Sequence, residues 1–275
     1  MSLIKPFVRL ASNIYPKPFA DKAFEKLVNP QIHKLRPHEE EVLQLAEKSD
    51  MAFRGFRIRT YSWNRGHEPV LLIHGWEGQA GNFADLIDHL VETGFTVCAF
   101  DGPSHGFSSA GETSLLEFKD LVAIMIEKTG ARKLVSHSFG GVATTAALFE
   151  NPDLKIEKYA LLTTPDRFTQ RLDQVSKQYG ISRKVKQELA KRMEEMTGVA
   201  VEDLNVSDWV KSVNVCEARI WHDKNDRVIG ADQSRGVNAA WSKSSLVEVE
   251  GTGHFRILRT KWVLEEVTAF LATTS

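Results

Sequence analysis

Residues 135–141 read VSHSFGG: two serines flank a histidine, and an aromatic residue and two glycines follow. A reactive serine on a sharp turn from strand to helix sits between small residues two positions before it and two after, because the strained turn leaves no space for larger ones. Counted from Ser138, Gly140 fills the second of these positions, and Ser136 stands in the first, where glycine is usual. The following run, GGVATTAA, is small enough to let a helix approach a sheet closely. The competing reading of the two serines is a polar strand end that caps the next helix, a place serine favours.

Outward from this stretch, short apolar runs alternate with helix-like segments. PVLLIHG (69–75), FTVCAFDG (95–102), KLVSHS (133–138), YALLTTP (159–165) and ARIWHD (218–223) read as buried strands. Residues 82–93, 114–129 and 139–150 have helical spacing, and Ser114 with Glu117 predicts a capping box for the second of these. The alternation predicts a mostly parallel sheet with helices on both faces. Residues 1–50 are helical in tone and are expected to pack on the core, ahead of an antiparallel strand pair around FRGFRIRTYSW (53–63). Residues 166–212 are rich in charge and helix formers and carry no strand signal. A structureless loop of that length is improbable, so a helical cap is expected there, inserted in a core of residues 51–165 and 213–275.

The chain has 275 residues, 42% apolar and 26% charged, with a net charge of −1. These values are ordinary for globular proteins, and the near-zero charge argues against nucleic acid as a partner. The nine histidines show neither HExxH nor paired spacing and no GxxxxGK occurs, so neither metal nor cofactor is expected. Cys98 and Cys216 lie inside apolar runs and read as buried thiols of a reducing compartment. Pro6, Arg9, Pro16 and Pro18 interrupt any stretch resembling a signal peptide, and no run approaches the roughly 18 apolar residues of a membrane span. A cytoplasmic protein is the resulting expectation, with the amphipathic N-terminal segment covering the core; the sequence does not specify an oligomeric state.

In a parallel α/β sheet, functional groups collect at the carboxyl ends of the strands. His74-Gly75-Trp76, Asp101 to Gly106, Ser136 to Gly141, and Asp223 to Asp226 stand at such ends, and Gly253-His254 follows the last strand-like run, LVEVEG. Over roughly residues 69–272, these ordered motifs make the chain resemble the α/β-hydrolase fold superfamily, in which the triad follows the chain order Ser, Asp, His. The resemblance implies Ser138 as nucleophile, Asp226 in HDKNDRVI as acid, His254 in GTGHF as base, and the backbone N–H of Trp76 as an oxyanion donor. The chemistry agrees: a serine hydroxyl needs an imidazole to take its proton, and the imidazole needs a carboxylate to fix its tautomer. The N–H of Phe139, at the start of a helix, is the second oxyanion donor.

The side chains of Trp76 and Phe139, and His105 in DGPSHGFS, are expected beside the substrate. Asp223, three residues before Asp226, and Asp166, at the end of the preceding strand, are rival acids; the match of x-Asp-Arg-Val-Ile to the family's acid loop favours Asp226. His137 is read as a packed neighbour and His74 as a brace for the oxyanion loop. The implied activity is that of a carboxylesterase-like serine hydrolase acting on a small-molecule acyl ester. The same triad serves for a thioester, an amide, a lysophospholipid or a carbon–carbon bond, and a non-catalytic binding protein of the same fold is the alternative from another class.

Overall fold

Strands form where apolar side chains can be buried on both faces of a sheet, and the five central runs do so. A computed structural model describes residues 4–63 and 68–273. Its strands are β1 (Glu47–Phe53), β2 (Phe56–Trp63), β3 (Pro69–Ile73), β4 (Thr96–Phe100), β5 (Lys133–His137), β6 (Ile156–Leu162), β7 (Val215–Asp223) and β8 (Ser244–Val249). They make one sheet in the order β1-β2-β4-β3-β5-β6-β7-β8, antiparallel from β1 to β4 and parallel from β4 to β8. The period of two divides each strand between the faces: on β3, Val70 and Leu72 enter one core while Leu71 and Ile73 enter the other.

The helices are α1 (Ile4–Ile14), α2 (Pro16–Val28), α3 (Pro37–Leu45), α4 (Ala84–Glu92), α5 (Leu115–Thr129), α6 (Phe139–Glu150), α7 (Phe168–Tyr179), α8 (Arg183–Thr197), α9 (Val206–Trp209), α10 (Ala231–Ala240), α11 (Gly253–Arg256) and α12 (Lys261–Ala272). One face of the sheet is covered by α3, α4 and α12, the other by α5, α6, α9 and α10. No helix of the described residues is long and apolar enough to cross a membrane.

Four sequence expectations change. The strand pair begins at Glu47, inside the segment read as helical, and turns at Arg54-Gly55, both with positive φ as a two-residue hairpin turn requires. β1 is an edge strand exposed at most positions, so it carries no apolar alternation to read. The N-terminal helices also divide: α3 packs on the core, whereas α1 and α2 pack on α8. Ala20, Val185 and Leu189 form a small apolar cluster there, apart from the two main cores. At α5 the cap is simpler than a capping box: Ser114 Oγ accepts from the N–H of Leu116 and bonds the Glu117 carboxylate directly. Finally, Cys98 is buried but Cys216 is exposed, because β8 pairs with β7 only from Ala218 onward and leaves the start of β7 uncovered.

Candidate active site

The end of β5 turns into α6 at Ser138, whose φ of 53° and ψ of −123° lie where non-glycine residues are rare. Two contacts explain why the chain accepts this strain. Ser138 N–H donates to the Leu162 carbonyl on the neighbouring strand (2.9 Å), and Gly141 N–H closes the turn on the Ser138 carbonyl (2.8 Å). A side chain at Gly140 would place its Cβ 2.4 Å from the Ile73 carbonyl oxygen and 2.5 Å from that of His74, so this turn needs glycine there. Ser136, in the position where glycine is usual, is fully buried, and its hydroxyl lies 2.8 Å from the Tyr159 hydroxyl. Tyr159 in turn reaches the Gly141 carbonyl at 3.4 Å, so the substitution links two sides of the turn. Burial pushes the Tyr159 phenol up to about 12, which keeps it a neutral donor.

The structure brings Ser138, His254 and Asp226 into one line. His254 Nε2 lies 3.0 Å from Ser138 Oγ, and His254 Nδ1 lies 2.8 Å from Asp226 Oδ2. The other carboxylate oxygen, Asp226 Oδ1, accepts from the N–H groups of Val228 (2.7 Å) and Ile229 (3.0 Å). Burial alone would raise the Asp226 pKa; hydrogen bonds from His222 and His254, the charge of His254 and the Ile229 N–H outweigh it and hold the carboxyl well below its usual range. An ionised Asp226 accepts only, so the proton of neutral His254 sits on Nδ1 and the Nε2 lone pair faces the Ser138 hydroxyl.

The rival acids are engaged elsewhere. Asp223 Oδ2 accepts from the N–H groups of Thr252 (2.5 Å) and Gly253 (2.7 Å) and from the Thr252 hydroxyl, while Oδ1 takes the Asn225 N–H (2.7 Å). Burial opposes its charge, but these donors prevail and its pKa is lowered. Asp223 therefore ties the acid loop to the residues immediately before His254. Asp166 accepts from the Ser207 N–H (2.8 Å) and fastens the start of the cap to α9.

The loop expected to supply the oxyanion donors has its own supports. Trp76 N–H and Phe139 N–H have no acceptor among the described residues, and the two side chains are partly exposed, meeting edge to face with ring centroids 5.2 Å apart. His74 Nδ1–H donates to the Gly75 carbonyl (2.8 Å), and its Nε2 accepts from the Gly102 N–H (2.9 Å). His105 does not meet the expectation of a substrate contact: it is 0% exposed and stands behind the loop. Its Nε2 accepts from the Glu77 N–H (3.2 Å) and its Nδ1–H donates to the Pro103 carbonyl (2.8 Å), so the polar loop that made it look accessible is folded inward around it. Burial holds His105 down at about 4 and His74 well below its usual value. His137 donates from Nε2 to the His254 carbonyl (2.9 Å), and burial, then the neighbouring His254, lowers its pKa to about 3.

Sequence reasoning missed Tyr159, Thr252 and His222. His222, beneath the acid loop, bonds the Ser234 hydroxyl (2.6 Å) and the Ile229 carbonyl (2.9 Å) and lies 3.5 Å from Asp226 Oδ2. A histidine next to the strand end, at the start of HDKNDRVI, was its only sequence signal. Asp101, just past the end of β4, is consumed internally by Tyr61, Ala80 and Phe107.

The family model for the alpha/beta hydrolase fold matches residues 68–180. A pimeloyl-[acyl-carrier protein] methyl ester esterase of Xanthomonas campestris is 32% identical over 109 residues, which are 39% of this chain and 42% of that protein. The dihydrolipoyllysine-residue acetyltransferase component of the acetoin cleaving system of Cupriavidus necator is 40% identical over 92 residues, 32% of this chain and 24% of that one. The chain thus spans less than half the length of each of these two relatives. Among solved structures, an esterase of Pyrococcus furiosus superposes with a TM-score of 0.64 at 16% identity, covering 90% of this chain and 97% of its own.

Proposed function

This chain has the α/β-hydrolase fold, and we propose that it is a serine hydrolase that cleaves a carboxylic ester through an acyl-enzyme intermediate. Ser138 Oγ attacks the ester carbonyl while His254 Nε2 takes the hydroxyl proton. Asp226 holds the Nδ1–H tautomer and offsets the positive charge that forms on the ring. The Trp76 and Phe139 N–H groups receive the developing oxyanion, each such donor contributing about 3–4 kcal/mol to the barrier reduction. Collapse of the tetrahedral intermediate breaks the C–O bond, and the leaving alcohol carries off the proton from His254. Water then attacks the acyl carbonyl with His254 again as base, releasing the acid and free Ser138.

The observation that carries this reading is the single hydrogen-bonded line from Ser138 through His254 to Asp226. The esterase among the relatives agrees with an ester as the bond cleaved. The test is labelling with a fluorophosphonate, which phosphonylates an activated serine, followed by peptide mapping. Label on Ser138, absent from Ser138→Ala, is expected; label on Ser136, or none on folded protein, refutes the assignment. A panel of p-nitrophenyl esters of rising chain length then sizes the acyl site.

A further inference from the structure

Helix α1 has one face committed to the protein. Ser12 is fully buried against α8: the Ser182 N–H donates to Ser12 Oγ (3.0 Å), and the Ser182 hydroxyl donates to the Ser12 carbonyl (2.9 Å). The opposite face is apolar and bare. Phe7, Leu10 and Ile14 are 75%, 62% and 58% exposed, and Tyr15, just past the helix, is 66% exposed. Spacings of three and four residues place Phe7, Leu10 and Ile14 in one stripe along the helix. Large apolar side chains clustered in water mark a surface that meets something.

The charges beside the stripe select the partner. Arg9, Lys17, Arg183 and Lys184 are exposed, and among the described residues none of them has an acidic partner. No Asp or Glu occurs before Asp21. A symmetric contact with a second copy would press two such cationic sets together. An amphipathic helix with an apolar stripe and flanking cations instead fits an anionic lipid surface, where the stripe enters the acyl boundary and the long basic side chains reach the headgroups. We propose that this face docks on an anionic bilayer, with α1 lying in the interfacial plane and the cap helix α8 above it. The proposal does not depend on the hydrolase reading.

The experiment is co-sedimentation of the full chain with vesicles of phosphatidylcholine alone and with vesicles in which about a third of the lipid is phosphatidylglycerol, at low and high salt. Binding to the anionic vesicles that weakens with salt is expected. The pair Arg9→Gln and Lys17→Gln should weaken it roughly 30-fold, about fivefold for each cation removed. The pair Leu10→Glu and Ile14→Glu should weaken it more than tenfold, since it takes apolar groups out of the boundary and adds anions. All four side chains are exposed, so circular dichroism and the thermal midpoint should stay as in the parent protein. Equal binding to both vesicle types, no sedimentation, or Glu variants that bind like the parent would overturn the proposal. So would a lipid-free dimer that dissociates in the Leu10→Glu, Ile14→Glu protein, which would assign the face to a second copy.

Discussion

Asp226→Asn is the substitution on which the mechanism can be judged most directly, because the environment of the carboxylate dictates what an amide must do there. Oδ1 receives two backbone N–H groups, from Val228 and Ile229, and Oδ2 receives Nδ1–H of His254. An asparagine keeps the two backbone bonds only if its carbonyl oxygen takes the Oδ1 place. Its NH2 then faces His254 Nδ1, which must accept, so the ring proton moves to Nε2 and points at Ser138 Oγ. That tautomer cannot take the serine proton. The flipped amide is no better: it sets NH2 against two backbone N–H donors at 2.7 and 3.0 Å, leaving buried donors unpaired. Loss of the correct tautomer is worth about 10⁴ in kcat, or about 5.5 kcal/mol of barrier. The assay is the steady-state rate on a p-nitrophenyl ester, with the amplitude of fluorophosphonate labelling as a check. Asp166→Asn serves as control, since that carboxylate serves the Ser207 N–H in α9; it should retain turnover within about tenfold. If folded Asp226→Asn keeps a tenth or more of the parent rate while Asp166→Asn does not, the acid lies at the end of β6 and the reasoning fails.

Three further outcomes follow from the same contacts. Ser136→Gly restores the usual residue but removes the 2.8 Å partner of the buried Tyr159 hydroxyl, leaving it the Gly141 carbonyl at 3.4 Å and the neighbouring Thr144 and Thr145 hydroxyls. It should cost about 1–3 kcal/mol in urea unfolding with turnover largely kept, and a cycle with Tyr159→Phe should show coupling of about 0.5 kcal/mol or more, zero coupling refuting the pair. Stability should depend on pH through the buried histidines: His137 titrates near 3 and His105 near 4 in the folded protein, against about 6.5 unfolded. The unfolded chain therefore binds protons first, so stability is full above about pH 6.5 and falls by about 1.4 kcal/mol per pH unit per histidine as pH drops toward 4. The lowered pKa values of Asp223 and Asp226 add losses only below about pH 4. Denaturant titrations at pH 7, 6 and 5 test this, and a flat profile would mean that the rings are not held neutral. Asp223→Asn should lower turnover through the loop before His254 and also reduce stability by several kcal/mol, since it removes a charged acceptor of four hydrogen bonds; intact stability would show that the clamp is not needed.

What the sequence revealed follows from burial. β3 to β7 are flanked by strands and helices, so each contains a buried apolar stretch, and the turn at Ser138 shows itself because steric crowding at Gly140 restricts residue choice. β1 has little to bury and so leaves no pattern. Contacts between distant segments leave less still. Nothing in PKPFADKAFEKLV says whether its apolar face meets the core or α8, because either surface would bury it equally well. The role of Asp223 was equally hidden: a carboxylate at a strand end looks the same in sequence whether it serves a histidine or the backbone N–H groups of Thr252 and Gly253. Ser136 announced an anomaly but not its resolution, since Tyr159 belongs to the neighbouring strand and is brought beside it by sheet pairing.

The same limit applies to the histidines, several of which stand near Ser138. His74 and His105 each join a carbonyl on one edge of the ring to an N–H on the other, across loops that carry Trp76 and Glu77. An amide side chain has its donor and acceptor at the same end and cannot span two loops in this way. The imidazole can, and its flat faces also pack: Phe118 meets His74, His105 and Phe139 edge to face at 5.2, 5.6 and 5.4 Å. This use requires the neutral ring, because a second proton would turn the accepting nitrogen into a donor aimed at the N–H of Gly102 or Glu77. The burial that depresses both pKa values is thus what allows the rings to hold the loop bearing the Trp76 N–H. His254 differs in position more than in kind. Its Nδ1 meets a carboxylate where the bracing rings meet carbonyls, and its Nε2 meets a partly exposed hydroxyl where theirs meet buried N–H groups. Under the proposed mechanism, the ionised Asp226 and the partly exposed Ser138 are what would let His254 act as a base where the other rings brace.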